Sequence, residues 1–109
     1  MLATGDSEGT VLLWDTSTWK VVDSPLKGRH QSVCSMSFHP GGDLLATGDA
    51  DGIIRIWDTA KHEFFTDPYV AHSSSIWVLQ FHPEGHLLSS ACDNGTIGLC
   101  DLTPNLSEE

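Results

Sequence analysis

Basic residues are scarce in this chain: five Lys and Arg stand against 15 Asp and Glu among 109 residues, a formal net charge of −10. That balance repels phosphate backbones and anionic headgroups, so neither nucleic acid nor a membrane surface is the expected ligand. A partner selected by charge would be basic. No apolar run approaches the roughly 18 residues that a membrane-spanning helix needs. No basic and apolar leader precedes the first strand-like segment, so we expect an intracellular protein, cytoplasmic or nuclear. The three cysteines (Cys34, Cys92, Cys100) show no CxxC spacing. Reduced, buried thiols are expected of them, rather than a disulfide. Helix-length amphipathic periodicity is missing as well, whereas turn formers are plentiful, with 10 Gly and 5 Pro.

What the chain does have is a repeat. LATGDSEGTVLLWD (2–15) returns as LATGDADGIIRIWD (45–58), an offset of 43 that sets Trp14 on Trp57 and Asp15 on Asp58. A third copy, LSSACDNGTIGLCD, ends at Asp101 with Cys100 where the tryptophan stood. A period in this range marks one supersecondary unit stacked on copies of itself. Short strand-like runs are parted by turns: VCSMSF (33–38), His39-Pro40-Gly41-Gly42, DLLATG (43–48), Asp51-Gly52, IIRIWD (53–58), KHEFFT (61–66) and Asp67-Pro68. IWVLQF (76–81) starts the cycle again. The expected fold is all-β, in four-stranded antiparallel meanders. Counted along the chain, the units hold three, four and three strands. Hence residues 1–24 form a unit without its inner strand, 25–67 a complete one, 68–101 one without its outer strand, and 102–109 a disordered tail.

With the Trp-Asp ends, the Asp51-Gly52 turn, the FHPGG and FHPEG turns (38–42, 81–85) and Ala71-His72 before a strand all in register, the chain resembles WD-repeat β-propellers. The resemblance implies propeller blades in an incomplete ring. It also implies a hydrogen-bonded chain of histidine, Ser or Thr, aspartate and tryptophan that locks each blade. Carried over, this network would comprise Thr47, Asp51 and Trp57 in the second unit and His72 and Ser90 in the third. There Asn94 and Cys100 replace the aspartate and tryptophan, while Arg29, with His30 one place on, falls at the second unit's histidine position.

Six histidines are spread over repeat positions without HExxH or paired CxxC spacing, so no metal site is expected. Asp49-Ala50-Asp51-Gly52 lacks the rest of a calcium loop. No nucleophile elbow singles out a serine, so the chain is read as no enzyme, with no cofactor. Trp77, between Ile76 and Val78, is expected to pack between blades, and one of Phe64 and Phe65 to face solvent.

The resemblance implies a protein-interaction scaffold whose top face is built from loops before the inner strands and between the second and third strands. Here these loops hold Gln31, Ser32, Asp49, Ala50, Ser74, Ser75 and Asp93, a small, polar and acidic surface suited to proteins or peptides rich in Lys or Arg. Trp19, at the rim, is an added candidate anchor. The preferred reading is a fragment of a larger propeller, with self-association as another way to complete it. Adaptor work in ubiquitin ligation is an alternative, as is a truncated architectural product. Against the adaptor, Ser17, Ala60 and Thr103 fill the position where the family's substrate-receptor signature has arginine.

Overall fold

A computed structural model describes residues 1–22, 26–27, 32–61 and 63–102. They form three antiparallel sheets. The first contains β1 (Leu2–Gly5), β2 (Thr10–Asp15), β3 (Lys20–Val21) and β4 (Leu26–Lys27), with β2 paired to the other three. The second contains β5 (Val33–Phe38), β6 (Leu44–Asp49), β7 (Ile53–Asp58), β8 (Glu63–Phe64) and β9 (Tyr69–Val70). In the third, β10 (Ile76–Phe81), β11 (Leu87–Cys92) and β12 (Ile97–Asp101) lie side by side in chain order.

Three boundaries move relative to the sequence reading. The outer strand does not end at Asp67-Pro68: β8 pairs with β7 at Trp57 and Asp58, and β9 pairs with the same strand at Ile53 and Ile54. Likewise β4 returns to β2 at Thr10 and Val11, placing residues 26–27 in the first sheet. Proline has no N–H for the ladder, so Pro68 interrupts the pairing, yet the chain stays on that edge and resumes it. At the third, Leu102 is buried and its N–H donates to the His86 carbonyl at 2.7 Å, so it is anchored beside the third sheet and not part of a loose tail. Residues 103–109 lie outside the described set.

Alternation along β6 and β7 explains the stacking. Leu44, Ala46, Ile54 and Ile56 point to one side and meet Ile76, Leu79, Phe81 and Leu88 of the third sheet. Leu45 and Trp57 point to the other and meet Val11 and Leu13 of the first. The middle sheet is thus buried on both faces, each fully buried aliphatic side chain contributing about 1.5–3 kcal/mol. Close approach is set by glycine: a Cβ on Gly48 would lie 2.9 Å from Ile76, and one on Gly5 would lie 2.7 Å from Val33. Gly52 closes the β6–β7 turn at φ +83°, where a Cβ would collide with the His72 carbonyl.

Candidate functional site

The loops at one end of the blades are stitched together by a bond pattern that repeats with the sequence. The Ala50 N–H donates to the Ser32 carbonyl at 3.0 Å, and the Asp93 N–H to the Ser75 carbonyl at 2.9 Å. Between blades, the Ser32 hydroxyl donates to the Ser7 carbonyl at 3.2 Å and the Ser75 hydroxyl to the Ala50 carbonyl at 3.4 Å. Ser32, Ala50, Ser75 and Asp93 therefore form one continuous belt. Ser74 adjoins it, its hydroxyl buried and without a hydrogen-bond partner among the described residues. Gln31 lies outside the described residues, as do Arg29 and His30.

Asp49 is not part of this surface, contrary to its reading as a partner-binding carboxylate. It is 2% exposed. One carboxylate oxygen accepts the N–H groups of Asp51 (2.9 Å) and Ile53 (3.0 Å), and the other accepts from Arg55 Nη1 at 2.6 Å. Arg55 is itself buried, so the two charges neutralise each other inside the sheet. Asp51, expected in the blade-locking network, is corrected in the same way. Its side chain is exposed and makes no hydrogen bond among the described residues; the carboxylate that ties this turn belongs to Asp49. Asp6 does the same in the first sheet, accepting from Glu8 and Thr10 N–H groups.

Parts of the expected network are in place. Trp57 Nε1 donates to Thr47 Oγ1 at 3.3 Å, and Trp14 Nε1 to Thr4 Oγ1 at 3.2 Å. Phe64 packs on the Trp57 ring with centroids 4.6 Å apart while remaining 43% exposed. In the third sheet His72 Nε2 and Ser90 Oγ are 2.8 Å apart, both residues buried. Asn94 does not join them: its amide reaches Ser73, and its carbonyl oxygen accepts from the Thr96 N–H and hydroxyl. His72 Nδ1 is left without a partner among the described residues.

Trp77 is turned outward, against the expectation that it packs between blades. A bulge between Ile76 and Val78 shifts the register there, as one does between Val33 and Ser35. The indole is 56% exposed, and its Nε1 donates to Asp93 Oδ1 at 3.1 Å. It is the site residue that sequence reasoning missed, because no turn former marks the bulge. Trp19 sits in the β2–β3 turn, 62% exposed and at φ 58°. Its N–H donates to the Asp15 carbonyl at 2.7 Å.

The thiols differ in setting. Burial pushes the Cys34 thiol up, helped by the Asp49 charge and opposed by a contact from Ser75. For Cys92 burial also pushes upward, but hydrogen bonds from Asn94 and Thr96 outweigh it and bring the thiol below its ordinary value, while its S–H donates to Asn94 Oδ1 at 2.8 Å. All three cysteines are free, and the described residues contain no group of three His, Cys, Asp or Glu able to hold a metal.

The family model described as WD domain, G-beta repeat matches residues 20–58 and 65–101. Among solved structures, the chain is similar to the β-propeller domain of Cps50 (Swd1) from Myceliophteria thermophila, with a TM-score of 0.80 and 24% identity. The match covers 93% of this chain and 30% of that domain, so the chain spans under a third of its neighbour's length. Nothing among curated proteins matches. Two repeat matches over most of its length and a propeller's sheet stacking lead to one conclusion: the chain belongs to the WD40-repeat family and folds as an all-β partial propeller.

Proposed function

We propose that this chain is a non-catalytic interaction scaffold, a segment of a larger propeller, which takes a basic polypeptide on its loop belt. WD40 propellers generally serve as platforms for other proteins, and the short span of the match to a longer propeller supports the segment reading. The observation that carries the basic partner is the Trp77–Asp93 pair. An exposed indole fixed to a carboxylate at 3.1 Å offers a cation both a ring face and a counter-charge. Ser32, Ala50 and Ser75 extend the polar floor beside it. With a net charge of −10, the whole chain also steers a cationic partner inward.

The test is capture of Lys- and Arg-rich peptides by the intact chain and by Trp77→Ala and Asp93→Asn variants. Each replacement is expected to weaken capture about tenfold, the scale of an interfacial hot spot. Trp19→Ala, on the β2–β3 turn, should leave it unchanged. Unaltered capture by both belt variants would overturn the assignment.

A further inference from the structure

A repeat that loses its largest side chain leaves a mould of that side chain. In the second sheet Trp57 is 4% exposed and hydrogen-bonded to Thr47 Oγ1. Its counterpart one repeat later is Cys100, and the counterpart of Thr47 is Ser90, which keeps the hydroxyl. Where the indole would lie, the third sheet has a cleft of about 370 Å³ lined by Tyr69, Val70, Ala71, Ser90, Leu99 and Cys100 among others. The walls come from both blades: Tyr69 to Ala71 follow the outer edge of the second sheet, and Ser90, Leu99 and Cys100 belong to the third.

Three features point to an aromatic N–H donor as the occupant. Volume comes first, because tryptophan exceeds cysteine by several heavy atoms and the surroundings have not closed over the difference. Acceptors come second. Ser90 Oγ touches His72 Nε2 at 2.8 Å, but among the described residues it receives no counterpart of the indole N–H that Trp57 gives Thr47 and Trp14 gives Thr4. Wall chemistry is third: Tyr69, Ala71 and Cys100 pack on the apolar core between the second and third blades. Burial raises the Tyr69 hydroxyl pKa, with its contact to Cys100 acting the same way. Tyr69 therefore stays neutral and suits an apolar ring. Val70 and Leu99, exposed at 73% and 72%, mark an apolar mouth.

We infer that this cleft is a receptor for the tryptophan side chain of another polypeptide segment, whose indole N–H donates to Ser90 Oγ and restores the contact that Cys100 cannot make. The site is separate from the loop belt and stands whether or not the belt binds a basic partner.

The probe is N-acetyl-tryptophanamide, titrated into the 109-residue chain and followed by the NMR shifts of Ala71, Ser90 and Cys100. A ligand of this size in an open cleft should saturate with a Kd of about 0.1–1 mM. The benzofuran isostere, which lacks the N–H, should bind about three- to tenfold more weakly, the value of one hydrogen bond. Ser90→Ala should erase that preference while leaving the ring bound. Cys100→Trp should fill the cleft from within, abolish binding and raise the melting temperature by about 5 °C or more. Absence of saturable binding would overturn the inference, as would equal affinity for the two ligands or retained binding in a folded Cys100→Trp chain.

Discussion

The second and third blades are built on one template, but they solve the same packing problem with different chemistry. Between the second blade and the first, an indole and a buried ion pair fill the space: Trp57 on Thr47, and Arg55 on Asp49. One repeat later the positions of Asp49, Arg55 and Trp57 are held by Cys92, Gly98 and Cys100. Charge and bulk have both gone. The imidazole–hydroxyl pair of His72 and Ser90 takes over the polar part, and Gly98 gives it room, since a Cβ there would lie 3.0 Å from Ser90 Oγ. A repeat thus conserves the backbone frame more strictly than the means of filling it, and the blade filled more lightly retains a cleft.

The largest effect should come from breaking the heavily filled side of this comparison. Asp49→Ala would strand the Arg55 guanidinium in a buried site and free two turn N–H groups, a loss of about 3–5 kcal/mol in a denaturant melt. Cys92→Ala, the same position in the third blade, removes no charge partner and should cost about 1 kcal/mol. Equal losses would mean that the ion pair does not distinguish the two blades. Asp49→Ala together with Arg55→Leu should recover much of the loss, because the penalty lies in the orphaned charge rather than in the missing attraction.

The frame was legible in the sequence and the filling was not, for reasons visible at single residues. Asp51-Gly52 and Trp57-Asp58 repeat at a fixed stride, and such local turn and strand chemistry needs no knowledge of neighbours. By its place in the loop between the second and third strands, Asp49 reads as a top-face residue. The clue to its burial was Arg55: in IIRIWD it shares a face with Ile53 and Trp57, and a cation on an inward face needs a carboxylate nearby. Trp77 was beyond reach, since the bulge that exposes it arises from pairing with β11 and not from any residue in IWVLQF. The cleft at Cys100 could have been suspected from the worn repeat, but its volume depends on how far Tyr69 and Ala71 close in.

A second contrast concerns approach distance. Gly5 and Gly48 admit Val33 and Ile76 of the following blade, whereas Ala91 holds the same place in the third sheet. Gly48→Ala should force Ile76 aside and cost about 1–3 kcal/mol by overpacking. Ala91→Gly, with no described blade against it, should cost no more than about 1 kcal/mol, the ordinary penalty for glycine in a strand. A blade that stacks on the third sheet at the same distance must therefore present a smaller residue than Val33 or Ile76 to Ala91.

The smallest effect separates two thiols and has opposite signs. Cys92 is lowered, so the folded state favours its thiolate. Its contribution is present above the ordinary thiol value of 9.0 and is lost as pH falls through its folded value. Cys34 is raised, so its contribution is present below the ordinary value and is lost as pH rises through its higher folded value. Below the ordinary thiol value Cys92→Ala should make stability rise less, or fall more, with pH than in the parent, and above that value Cys34→Ala should make it fall less steeply, each by under about 1 kcal/mol. Direct thiol titration by NMR gives the same order, with Cys92 ionising first. The reverse order would mean that the donors from Asn94 and Thr96 do not offset burial, and that the third blade treats its thiol as an apolar filler rather than as a stand-in for the Asp49 carboxylate.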